Sequence, residues 1–171
     1  MVSIEILTDP TEKDFQDINA LIPQIAKEPH LLSFAELNNV VAQKENCQVV
    51  VARVLKNGEK SIVGVAVVTL RHILTGLLAD VEDVVVDEDW RGEGIGRAIN
   101  QKLIDIAISS GAKHISLYTN QTRIAANAMY HQMGYKHLKD LNYYRINLLR
   151  PTPSSKKEID LALSQRIKKN E

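Results

Sequence analysis

One stretch limits what this chain can fold into: Val81–Ile99, which reads VEDVVVDEDWRGEGIGRAI. Val81–Val86 is a β-branched run of the kind that lies in a sheet, carrying the acidic pair Glu82 and Asp83 near its start. Asp87–Trp90 is a polar turn and Arg91–Gly96 is glycine-rich. The spacing of Ile95, Ile99, Leu103 and Ile106 then predicts a helix that continues to about Ser110. A strand that turns through glycines into a helix presents the helix's first N–H groups. These have no intrahelical partner and sit at the positive end of the helix dipole. Glycine lets backbone come close to a ligand there. The product is a phosphate cradle, with Arg91 and Arg97 beside it as sources of charge-assisted hydrogen bonds.

Spacing excludes two common cradles. The dinucleotide fingerprint needs G-x-G-x-x-G, and this loop is G-x-G-x-G. The P-loop needs Gly-Lys-Ser/Thr at its end, and here the loop closes on Gly96-Arg97-Ala98. Arg91-x-x-Gly94-x-Gly96 instead resembles the pyrophosphate loop of the GNAT family of acetyl-CoA-dependent N-acetyltransferases, Gln/Arg-x-x-Gly-x-Gly/Ala, set between a strand and a helix. A second segment agrees. Ala126, Tyr130, Gly134 and Tyr135 resemble that family's Ala-x-x-x-Tyr-x-x-x-Gly-Phe/Tyr signature. The resemblance covers Val2 to Leu149, with its specific motifs between Val81 and Tyr135. It implies an α+β fold: a mixed central sheet with an antiparallel N-terminal meander and a β-α-β crossover. It also implies acetyl-CoA as co-substrate and no metal. The implied cofactor-binding residues are the backbone of Val84, Val85 and Val86, the loop residues Arg91, Gly92, Gly94, Ile95, Gly96 and Arg97, and Asn127 at the pantetheine arm.

Acetyl transfer from a thioester to an amine makes three demands. The amine must lose a proton, the developing oxyanion must be stabilised, and the thiolate must be protonated or tolerated, a thiol pKa being about 8.5. Glu82 and Asp83 are the candidate bases. Neighbours in a regular strand point to opposite faces, so only one of them should reach the cleft. Glu82 has the longer reach, and a likeness here to the Ile-Glu-Asp-Ile of glucosamine-6-phosphate acetyltransferases favours it, acting directly or through water. Tyr130 is the candidate acid, since a tyrosine pKa of about 10 suits proton donation at neutral pH. An N–H among Val84–Val86 is the candidate oxyanion donor. The resemblance makes Asn120 a second candidate beside Asn127 at the pantetheine arm, with capping of a helix as the alternative; Trp90 is expected to anchor packing and His131 to lie on the surface. Cys47 lies in an apolar, strand-like run and reads as a buried hydrophobe; direct attack needs no covalent intermediate. The five histidines show no metal-ligand spacing.

Read in order, the chain predicts a strand at Ser3–Leu7, a helix from Thr11 to Ile25 broken near Pro23, and a helix at Ser33–Val41 with capping-box spacing. Strands follow at Cys47–Leu55, Ser61–His72 and Leu77–Val86, the first two joined by an Asn-Gly hairpin. Gly64 marks a bulge or a close backbone approach. After the glycine-loop helix come a parallel strand at His114–Thr119, a helix at Arg123–Met133 and short strands at Tyr135–Leu138 and Asn142–Leu148. Pro151–Ser155 ends the expected domain, 1–150. Residues 151–171 form an extension, with Ile159, Leu163 and Ile167 along one side of a charged helix.

Lys+Arg and Asp+Glu both number 21 in the 171 residues, a balance that argues against a nucleic-acid surface built on bulk positive charge. One cysteine, no basic-then-apolar leader at Met1–Glu5 and no membrane-length apolar run point to a cytoplasmic protein away from membranes. The expected acceptor is a small primary amine. A protein or peptide amine and a non-catalytic acyl-CoA-binding module are the alternatives. The family resemblance also admits a homodimer.

Overall fold

The computed structural model describes residues 2–25, 29–56, 58–140 and 144. The chain divides into two compact units, Met1–Lys136 and His137–Glu171. The architecture below belongs to the first. The strand expected at Asn142–Leu148, apart from Tyr144, and the helix expected beyond Lys156 lie outside the described residues.

The strands are β1 (Val2–Ile6), β2 (Cys47–Lys56), β3 (Glu59–Ile73), β4 (Gly76–Val86) and β5 (Ile115–Leu117). They form one sheet in the order β1-β2-β3-β4-β5, antiparallel up to β4 and parallel between β4 and β5. The helices are α1 (Glu12–Leu21), α2 (Phe34–Ala42), α3 (Ile95–Ser109) and α4 (Ile124–Gln132). Short 3-10 turns follow α1 at Ile22–Gln24, around Pro23, and precede the glycine loop at Glu88–Trp90. Among the described helices none is long and apolar enough to cross a membrane.

The apolar strand runs follow from burial on both faces. Val50, Ala52, Val54, Ala66, Val68 and Val81 pack under α3 with Ile99 and Leu103. On the opposite face Val49, Val51, Val65 and Val85 pack under α1 and α2 with Ile18, Leu21 and Leu37. A sheet covered twice reads as continuous rather than alternating hydrophobicity. Both early helices start on capping boxes: Thr11 with Asp14, and Ser33 with Glu36. Arg53, on β2, ties β1 to α1 by pairing with Glu5 and with the buried Asp14.

Gly64 proves to mark both an irregularity and a close approach. The β2–β3 register slips between Ala52 and Arg53, where Ala52 faces Gly64 and Arg53 faces Ile62. A Cβ on Gly64 would lie 2.9 Å from Ile99 Cδ1 and 3.3 Å from the Val85 carbonyl oxygen. The missing side chain therefore lets α3 settle onto the sheet just behind the glycine loop.

One expected element is absent. Residues 135–138 run irregularly rather than as a strand. Their apolar spacing alone does not make a ladder.

Candidate active site

The site is organised by two departures from regular sheet in β4. The first is a β-bulge. Val65 pairs with Val85 and Val67 with Glu82, so Asp83 and Val84 together oppose Ala66 alone. Asp83 takes the left-handed φ of 51° that the extra residue requires, a conformation aspartate tolerates better than most side chains. The bulge corrects the expectation that Glu82 and Asp83 point to opposite faces. Glu82 lies opposite Val67, and Val67 and Asp83 both line one cavity. The extra residue resets the alternation, so both carboxylates belong to the face that carries α1 and α2. Val81 and Val84 pack towards α3.

The second departure is a parting of strands. β4 and β5 pair only at Ala79–Ile115, Asp80–Ser116 and Val81–Leu117. Beyond that point β5 ends and β4 continues through Glu82 to Val86, paired on its β3 side alone among the described residues. The backbone of Val84–Val86 thus borders an open slot, where an extended amide-bearing ligand can make strand-like hydrogen bonds.

The glycine loop lies at the end of this slot. Asp87 Oδ1 accepts the Asp89 N–H at 3.0 Å, closing the turn that precedes it. Gly92 and Gly94 have φ of 86° and 77°, which explains glycine at both positions. Gly94 is the N-cap of α3 and offers no side chain to its first N–H groups. Space beside Gly92 and Gly94 is open, whereas a Cβ on Gly96 would make ordinary contacts with Met129 Sδ of α4 at 3.5 Å and Val86 Cγ2 at 3.7 Å. Ile95 is buried and anchors the helix start. An uncapped helix N-terminus beside unpaired strand backbone fits a pyrophosphate-bearing, amide-bearing ligand such as acetyl-CoA.

Arg91 and Arg97 are partly engaged by the protein itself. Arg91 donates from Nε to the Val86 carbonyl at 2.9 Å and from Nη2 to Gln24 Oε1 at 2.6 Å. Gln24 also accepts the Glu88 N–H at 3.2 Å. This clasp between loop and early helices was not foreseen, since no local motif marks Gln24. Arg97 bonds Gln132 of α4. Asn100, fully buried, donates to the Gly96 carbonyl at 2.9 Å, while its Oδ1 has no partner among the described residues.

Tyr130 is buried on α4, edge-on to Tyr135 with ring centroids 5.6 Å apart. Burial pushes its hydroxyl above the ordinary tyrosine range, and the charge of Arg123 partly opposes this. Burial likewise pushes Tyr135 up to about 12. Asn127 bonds the carbonyls of Asn120 and Arg123, each at 2.9 Å, holding the loop that enters α4. Asn120 accepts from Thr122 N–H and hydroxyl in a local turn, so it shapes this loop rather than capping α4, whose N-cap is Arg123.

The carboxylates form an acidic row. Asp80 is held by Ser116 Oγ at 2.6 Å and Arg71 Nη2 at 2.9 Å. Loss of hydration raises the pKa of Glu82, and the charges of Asp83 and Asp80 raise it further. A carboxylate so placed is a stronger base than a free one. Beside the row is a cavity of about 260 Å³ walled by residues such as Ile18, Leu32, Leu37, Val40 and Val67, with Asp83 and His30 as its charged or titratable lining. Cys47 is buried, and burial pushes its thiol up, away from the reactive thiolate.

Comparisons with known proteins bear on the family and the fold. The model described as Acetyltransferase (GNAT) family matches residues 11–135. The N-acetylaspartate synthetase of Xenopus tropicalis is 31% identical over 61 residues, which is 36% of this chain and 22% of that protein. The matched stretch is thus about a fifth of the length of such synthetases. The glucosamine 6-phosphate N-acetyltransferase of Trypanosoma brucei brucei is 26% identical over 128 residues, covering 73% of this chain and 84% of that one. The crystal structure of a Trypanosoma brucei acetyltransferase aligns with a TM-score of 0.70 at 25% identity, covering 86% of this chain and 100% of the other. The family match over residues 11–135 shows that this chain belongs to the GNAT family of acetyltransferases.

Proposed function

We propose that this chain is an N-acetyltransferase that transfers the acetyl group of acetyl-CoA to a small primary amine by direct attack. The observation that carries the reading is the open slot beside Val84–Val86, which leads to the uncapped first turn of α3. Acetyl-CoA supplies the activated acyl group. The backbone of Val84–Val86 holds its amides and, through one N–H, the developing oxyanion. Gly92, Gly94, Ile95 and Gly96 present N–H groups to its pyrophosphate, with the free donors of Arg91 and Arg97 beside them. Asn127 holds the loop along its pantetheine arm.

Glu82 receives the proton that the ammonium must lose, directly or through water. Its raised pKa moves it towards neutrality, where a general base works best. Tyr130 stays protonated at neutral pH and donates to the departing sulfur. The C–N bond forms as the C–S bond breaks. Nitrogen loses two protons in all, the first to Glu82 before attack and the second as the amide forms; the sulfur gains one through Tyr130, and the other leaves to solvent. On this reading the protein works in the cytoplasm, with no role for nucleic acid or membrane, and a homodimer is compatible with it.

The test is thiol release from acetyl-CoA against a panel of amino sugars, polyamines, alkylamines and basic peptides. Turnover with an acceptor, reduced about 100-fold or more in Glu82→Gln and in Tyr130→Phe, supports both roles. Tight acetyl-CoA binding with no turnover of any amine reassigns the chain as a binding module. Failure to bind acetyl-CoA removes the reading altogether.

A further inference from the structure

The acceptor is legible in the cavity beside the acidic row. We infer that the amine is carried on a compact apolar group, an alkyl or arylalkyl amine of about six to ten carbons. This rests on the reading of the site as an acetyltransferase. Three observations support the substrate class. First, the wall is aliphatic: Ile18, Leu32, Leu37, Val40, Val49 and Val67 face the space, and no described lining residue is a lysine or arginine. Arg123, fixed near the rim, already donates to the Ile25 carbonyl at 2.9 Å. A phosphorylated sugar would bring a dianion and several hydroxyls to a wall with almost nothing to bind them, and each unpaired buried polar group would weaken binding.

Second, the polar end has the right sign. Asp83 lines the cavity, and Glu82 lies on the same face opposite Val67. A carboxylate in an otherwise apolar wall matches a ligand with an ammonium on a hydrocarbon body. Glu82, the residue proposed to take the proton, directly precedes Asp83 in β4 and shares its face. Third, the size fits. The cavity encloses about 260 Å³. A dry cavity of about 150 Å³ lined by aliphatic side chains accepts benzene. The space here accommodates a ring with a two-carbon aminoalkyl arm.

The experiment uses the full chain with saturating acetyl-CoA. The acceptors are an n-alkylamine series from propyl to hexyl, phenethylamine, glucosamine 6-phosphate and a peptide with a free N-terminus. Burial of each added methylene predicts that kcat/KM rises about fourfold per carbon. Phenethylamine should exceed glucosamine 6-phosphate and the peptide. Val40→Phe, which shortens the chamber without touching the acidic row, should lower the ratio of kcat/KM for phenethylamine to that for propylamine at least about tenfold. Asp83→Asn should raise KM for every amine about tenfold, the loss expected for a charge-assisted contact.

A flat alkyl series, or a preference for the sugar phosphate or the peptide, overturns this inference while acetyl transfer stands. If acetyl-CoA does not bind, the parent reading fails and the chamber is tested directly by calorimetry with phenethylamine. Saturable binding that is lost in Val40→Phe then retains the apolar-amine site. Absence of binding by the wild-type chain overturns it.

Discussion

Gly64 and Ile99 together test how α3 is seated on the sheet. Gly64 has no need of a left-handed backbone, so alanine is conformationally acceptable there. The added Cβ, however, would meet Ile99 Cδ1 at 2.9 Å, the Val85 carbonyl oxygen at 3.3 Å and Ala52 Cβ at 3.5 Å. Carbon pairs prefer about 3.5–4.0 Å. Ile99 is 0% exposed and has no solvent into which to swing. Overpacking of this kind costs about 1–3 kcal/mol. Replacing glycine returns about 0.4–1 kcal/mol by restricting the unfolded chain. The net cost of Gly64→Ala is therefore about 1–2 kcal/mol. For a chain of this size that lowers Tm by about 2–8 °C.

Ile99→Val removes the colliding methyl and alone costs about 0.5–1.5 kcal/mol. In the double variant the new Cβ fills the vacated space. Its stability should therefore match or exceed that of Ile99→Val, a coupling of about 1–2 kcal/mol in urea unfolding. Acetyl-CoA affinity gives a second readout, because Ile99 lies one turn after Ile95, where the loop enters α3. Gly64→Ala should weaken binding, and the double variant should restore it. Additive effects, within about 0.5 kcal/mol, would refute the argument that Gly64 exists to admit Ile99.

Three further outcomes are expected. The wild-type rate should rise with pH through an acid-side pKa above 4.5, the ordinary value for Glu82, and Glu82→Gln should lose that limb. Because the fold disfavours the ionised Glu82 carboxylate, its contribution to stability is lost as pH rises through the raised pKa; Glu82→Gln at pH ~7 should thus leave Tm unchanged or higher, and a large fall would show a structural role. Acid unfolding should follow two carboxylates held low. Burial of Asp14 favours protonation, but Arg53 and the Thr11 donors outweigh it and hold the carboxyl below 3.8; Ser33 and His30 hold Glu36 at about 2. Their contributions are present above the unfolded values and lost as pH falls through the folded ones. Asp14→Asn and Glu36→Gln should flatten the stability profile below 4.5. Finally, Arg53→Met strands Asp14, which is 3% exposed, and should cost about 3–5 kcal/mol by urea unfolding, with Asp14→Leu in the same chain recovering much of it.

Much of this protein is determined by short-range patterning. The Ser33–Glu36 and Thr11–Asp14 capping boxes, the interruption at Pro23 and the glycine loop before Ile95 depend on contacts between residues a few positions apart, so they can be read along the chain. The β-branched runs of β2, β3 and β4 announce a buried sheet in the same way. The order and pairing sense of the strands up to β5 follow from short connections and one helical crossover. Spacing also brought the loop and Tyr130 into the candidate site, because their motifs carry the residues at fixed intervals.

What strand pairing decides is not local, and there the reading along the chain failed or fell silent. Alternation in β4 predicts Glu82 and Asp83 on opposite faces. Only the register against β3 reveals the extra residue that brings both to one side. The slot beside Val84–Val86 exists because β5 stops at Leu117 while β4 continues, a mismatch between strands more than 30 residues apart. The chamber next to the acidic row is assembled from α1, α2, β2, β3 and β4, and no segment of the chain contains more than a part of its wall. Sequence by itself determined which chemistry this chain carries. The tertiary structure decided where the carboxylates face and which residues wall the cavity beside them, because those depend on register and packing between residues distant in the chain.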